Sequence, residues 1–200
     1  MTLQEILNEI DTYTNVVSDA QKIIWINEAL GLHYKKISKT EIYTMDTVAN
    51  LALYALDDSI MFEEIYYLTI EDSSGDAVEY SKRVIQNYSY GYSFYEPYEG
   101  YVGIYPVPST TGYEIIIYYI NRPSKLTSSD LSTQLDYREE YMPMIIAYVQ
   151  SKVAKTGNNP DVEMANNFVS DYLSLKKKVS TDYMARKIDN PKKSKSNVWW

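Results

Sequence analysis

The chain has 200 residues, 45% of them apolar, 22 tyrosines, one histidine and no cysteine, and its net charge is −8. That length and composition suit one folded domain, or one domain with an insertion. The lack of cysteine excludes disulfide frameworks and thiolate chemistry and points to a reducing compartment, while no run of residues has the uninterrupted apolar length that a membrane span needs.

Leu3, Ile6, Leu7 and Ile10 have helical spacing and predict a short first helix. Ser18 with Gln21 has the form of a capping box opening a second helix. Ile23, Ile26, Leu30, Tyr34 and Ile37 line its apolar face, widened by Trp25, Ala29 and Leu32. From residue 41 the pattern becomes β-branched and aromatic, with runs at 50–56, 60–70 and 113–120. Asp72-Ser73-Ser74-Gly75-Asp76 joins two strands as a hairpin, and Ile115-Ile116-Ile117-Tyr118-Tyr119 reads as a central strand. Pro106 and Pro108 place their segment at an edge or a strand end. About four to six strands follow from these runs.

Helical periodicity returns with Tyr141, Ile145, Tyr148, Val149 and Lys152, Pro143 standing in the first turn. Gly157-Asn158-Asn159-Pro160 separates that helix from a fourth, whose seam is Ala165, Phe168, Tyr172, Leu175, Val179 and Tyr183. The expected fold class is α+β: mainly a helical bundle, with two N-terminal and two C-terminal helices, an inserted antiparallel β-sheet and an extended C-terminal tail. The helices occupy 2–38 and 137–185, the β insertion 41–122, and the tail 186–200.

Chemistry-bearing constellations are few. A serine triad would have to use His33, which lies in a helical apolar pattern and reads as a structural histidine. Asp57-Asp58 and Glu63-Glu64 are adjacent carboxylates, which a strand would point to opposite faces. No glycine-rich phosphate loop or metal-ligand cluster occurs, so no cofactor and no enzymatic activity are expected. Tyr88, Tyr90, Tyr92, Tyr95, Tyr98 and Tyr101 crowd one stretch that also holds Gly91, Pro97 and Gly100. They read as a protein interface, as a sugar- or base-stacking platform, or as a bias of composition.

Charge is unevenly placed. Eight lysines and arginines against two aspartates give residues 176–200 a net +6, which leaves −14 on residues 1–175. The acidic body argues against a general DNA-binding surface. The polar, lysine-rich tail ends in Trp199-Trp200, a pattern that fits a segment ordered by docking on a partner.

The order of Trp25-Ile26-Asn27-Glu28-Ala29, Tyr54-Ala55-Leu56-Asp57-Asp58, Ile104-Tyr105-Pro106-Val107-Pro108, Ile117-Tyr118-Tyr119, Arg122-Pro123 and Lys125-Leu126-Thr127-Ser128-Ser129-Asp130 resembles the head-to-tail connector, or adaptor, proteins of tailed bacteriophages. The chain departs from that pattern at Asp57, where relatives often carry proline, and in its tyrosine load. The resemblance implies a structural virion protein of the neck, made in the host cytoplasm and forming an oligomeric ring, commonly a dodecamer. Such a ring docks beneath the portal protein, prolongs the channel through which packaged DNA passes without sequence-specific binding, and offers a platform to downstream neck or tail proteins. No membrane is involved. The tail would then be a portal-docking arm carried by Lys187, Lys192, Lys193, Lys195, Trp199 and Trp200. Alternatives are a tyrosine-rich receptor- or carbohydrate-binding virion module, or a tail-completion protein.

Overall fold

The structure, a computed structural model, describes residues 1–12, 17–83, 91–122, 124–156 and 160–188. The described residues divide into two compact units, 1–39 with 122–188, and 40–121.

The first unit is helical. α1 (Leu3–Ile10) buries Leu3, Ile6, Leu7 and Ile10, the expected stripe. The capping box stands at its start, not at the second helix: Thr2 Oγ1 accepts from Glu5 N–H while the Glu5 carboxylate accepts from Thr2 N–H. Ser18 occupies the N-cap position of α2 (Asp19–Ile37) but its side chain makes no capping bond. α2 buries Ile23, Ile26, Ala29, Leu30 and Ile37, whereas Leu32 and Ile24 face outwards, 63% and 58% exposed. Leu32 therefore does not widen the buried face.

α3 (Met142–Ala154) is buried on nearly all sides, with Met144, Ile145 and Val149 at zero exposure, and packs against α1, α2 and α4. A helix apolar all round is the central one, and Pro143 sits in its first turn as expected. α4 (Val162–Ile188) lays Ala165 and Val179 into the core, with Tyr172 and Leu175 half-buried beside them.

The second unit is a seven-stranded sheet in the order β1-β7-β3-β4-β5-β6-β2. Its strands are β1 (Glu41–Asp46), β2 (Leu53–Ala55), β3 (Ile65–Glu71), β4 (Ala77–Arg83), β5 (Ser93–Tyr95), β6 (Tyr101–Tyr105) and β7 (Glu114–Tyr119). β3 and β4 form the expected hairpin; β7 is an interior strand, second from the β1 edge and not the middle one, paired antiparallel to β1 and β3. β6 ends at Tyr105, just before Pro106.

The expected fold class is corrected here. The protein is mixed α/β rather than mainly a helical bundle with an inserted antiparallel sheet, because the sheet has seven strands and a core of its own. Nor is the sheet antiparallel throughout, since β4 and β5 run parallel. Phe94 is fully buried in that core and meets Phe62 edge-on, ring centres 5.8 Å apart.

β6 shows why a glycine sits mid-strand. Gly103 pairs with Tyr95 of β5, and a Cβ built on it would stand 2.6 Å from Tyr95 Cε2, far inside van der Waals contact. Tyr95 is itself buried, so making room for the methyl would disturb its packing. Gly103→Ala is therefore expected to destabilise the protein by about 1–3 kcal/mol, as overpacking does. A urea midpoint unchanged from the parent chain would refute this close packing.

Candidate assembly surfaces

The tyrosine stretch is not one surface. Tyr88 and Tyr90 lie outside the described residues. Tyr92 is half-exposed and meets the buried Tyr80 edge-on, 5.2 Å between ring centres. Tyr95 is buried, its ring lying over Gly103, so it is not part of an exposed surface. Tyr98 is 53% exposed and lies 4.5 Å from the Tyr101 ring.

Tyr98 lies within the β5–β6 turn, where Glu96 and Glu99 are also exposed, and Tyr101 opens β6 just after it. Gly100, at φ +80°, supplies the left-handed backbone the turn requires. Its carbonyl accepts from Leu56 N–H at 2.8 Å, and Tyr98 O accepts from Tyr101 N–H at 3.2 Å. The turn thus holds one aromatic ring between two carboxylates on a bonded backbone.

Of the basic arm, Lys187 falls in the last turn of α4. Lys192, Lys193, Lys195, Trp199 and Trp200 lie outside the described residues.

Two of the resembling motifs, 25–29 and 125–130, meet in the helical unit. Asn27 Nδ2 donates to Leu126 O and Asn27 Oδ1 accepts from Leu126 N–H, both at 2.8 Å, so one side chain pins the segment returning to the helical unit. Glu28 next to it accepts from Tyr148 Oη–H and Lys152 Nζ, both at 2.7 Å. The bonds from Lys152 first, and from Tyr148, hold its carboxyl below the usual range. In the sheet unit, Tyr54 pairs with Val102, and Asn50 N–H donates to Pro108 O at 2.9 Å. Sequence reasoning did not find the Asn27 lock, since its partner is 99 positions away. The available signal was an asparagine inside a helix, where its side chain competes with the backbone.

Beside this lock runs a groove of about 380 Å³ on the helical unit, between α2 and the returning segment. Its apolar floor includes Ile24, Gly31 and Tyr34, and its mouth carries Arg122 and Lys125.

The remaining candidates are structural. His33 is buried and hydrogen-bonded to Tyr172 through Nε2, 2.9 Å from the hydroxyl. Burial first, then the charges of Lys176 and Lys36, push its pKa down. A depressed histidine leaves stability complete above its unfolded pKa, about 6.5. Stability is then lost as pH falls through the folded value, because the unfolded chain binds the proton first. His33→Gln is expected to flatten the dependence of the urea midpoint between about pH 6.5 and 5, above the range where carboxylates titrate. An unchanged slope would contradict the assignment.

Asp57 and Asp58 are exposed in a turn, and the hydroxyl of Ser59 first, then its amide, hold Asp57 below the usual range. Glu63 is exposed and Glu64 buried in the short 3-10 turn Phe62–Glu64, so the pair faces no common site. No group of three or more metal-ligating carboxylates or histidine occurs among the described residues. No helix among them is long and apolar enough to cross a membrane.

Among the described residues the candidate features are exposed aromatic and charged side chains and hydrogen-bonded turns, with no metal-ligand cluster. The family model described as SU10 adaptor protein matches residues 1–189, and the chain belongs to that family of phage head-to-tail adaptors. The family is one of structural virion proteins of the neck, which work with other head and tail proteins. No curated protein matches the chain.

Proposed function

We propose that this chain is a neck adaptor that acts by ring assembly and docking. Copies form a ring, a dodecamer by the family resemblance, seated on the portal protein. The ring extends the DNA channel and presents a platform to downstream neck or tail proteins. The observation that carries this reading is the family match over residues 1–189.

Two physical features support it. The acidic body, −14 over residues 1–175, suits a channel wall along which phosphate must slide without being held. The basic, tryptophan-ended residues 186–200 suit an arm, its lysines meeting acidic portal surface and its two indoles filling apolar pockets.

Co-purification tests the function. Chain and portal protein expressed together should elute together and show a single ring on negative-stain micrographs. Separate elution, with a monomer binding a glycan array, would favour a tyrosine-rich receptor- or carbohydrate-binding module instead.

A further inference from the structure

The groove beside α2 has the wrong chemistry to be left open to water. Ile24, on its apolar floor, is 58% exposed, and Gly31 offers open space where a Cβ would stand. Arg122 lies over the Tyr34 ring at 6.0 Å. Among the described residues, neither Arg122 nor Lys125 forms an ion pair. Glu28, the nearby carboxylate, is already taken by Lys152 and Tyr148. Tyr137 lines the same groove, is only 5% exposed, and its hydroxyl has no hydrogen-bond partner among the described residues. A buried unsatisfied hydroxyl is destabilising. Two cations, an idle donor and an apolar floor together ask for a carboxylate carried beside an aromatic ring.

The same chain presents that ligand elsewhere. The β5–β6 turn displays the exposed Tyr98 ring between the carboxylates of Glu96 and Glu99. The backbone bonds at Gly100 and Tyr98 hold the turn in place before any partner arrives, which lowers the entropy lost on docking.

We infer that the β5–β6 turn of one copy docks in the α2 groove of the next, Tyr98 on the Ile24–Gly31 floor and the glutamates against Arg122, Lys125 and Tyr137. This contact rests on the ring reading and supplies its repeating bond. Turn and groove are different surfaces on different units, so the contact is head-to-tail. Such heterologous contacts close into rings when the rotation per copy allows it. Charge complementarity would fix the register.

The cysteine-free chain makes a clean cross-linking test. Full-length chain carrying Gly31→Cys and Glu96→Cys, which leaves Tyr98 and Glu99 in place, is assembled on portal protein and oxidised. A ladder of covalent multimers is expected, with at most dimers from either single-cysteine chain. In parallel, Arg122→Glu with Lys125→Glu should lower the assembled fraction about tenfold or more, as like charges across an interface do. Adding Glu96→Lys and Glu99→Lys should restore it. Portal-bound assemblies that give no ladder, or a charge reversal that is harmless or not rescued, would overturn this contact and leave the ring standing. Absence of any assembly by the parent chain would sink the ring, and the contact with it.

Discussion

Removing residues 189–200 is expected to abolish retention on portal protein in a pull-down while leaving the folded body intact. The segment carries Lys192, Lys193 and Lys195 and ends in Trp199-Trp200. Tryptophans seated in pockets are the commonest interface hot spots, each losing at least ~2 kcal/mol on truncation, or roughly thirtyfold in affinity. Trp199→Ala with Trp200→Ala should reproduce most of the loss. Replacing the three lysines with glutamine should act differently: weaker binding at low salt, with less effect as salt rises and exposed charges are screened. Retention unchanged by the deletion would remove the arm from the account. The helix α4 ends at Ile188, so the cut spares every described element.

The second large effect concerns Lys22, whose side chain has no exposure although it is charged. Its ammonium donates to Asp11, and to Asp19 at 3.0 Å. Burial works against the charge, yet the two carboxylates outweigh it and hold the pKa above the ordinary value. A raised lysine adds stability that is present below its unfolded pKa and lost as pH rises through the folded one. Asp11→Ala with Asp19→Ala would strand a buried ammonium, and unfolding should become easier by about 3–5 kcal/mol. Lys22→Met keeps the apolar stem and leaves two carboxylates that reach water, Asp11 being 26% and Asp19 59% exposed. It should cost less than about 1.5 kcal/mol. Equal losses in the two variants, read by urea unfolding, would refute this asymmetry.

What could be read before folding follows from the range of the interactions. Leu3, Ile6, Leu7 and Ile10 marked α1 because helical periodicity is local, and Ile115–Tyr119 marked β7 because a strand covered on both faces is continuously apolar. β1 was hidden because its exposure alternates only between half and full, with Ile42 open and Tyr43 and Met45 partly covered. β5 has three residues, and the tyrosines and glycines around it read as loop. The size of the sheet was underestimated for that reason, and with it the fold class. Ser18 and Gln21 matched a capping pattern in spacing, but Thr2 and Glu5 are the pair that bonds.

The candidate surfaces divide the same way. Tyr95 and Tyr98 stand in one tyrosine-rich stretch of the sequence, but only the fold separates Tyr98, facing solvent, from Tyr95, packed over Gly103, and shows Glu96 and Glu99 exposed beside Tyr98. The groove joins α2 to residues about a hundred positions on, through the Asn27–Leu126 lock. No local pattern announces a surface of that kind.

The central claim is assembly on the portal, and the native mass of the chain with and without portal protein tests it most directly. A complex holding many copies of the chain per portal ring is the predicted result. A stable monomer in both conditions would contradict the account.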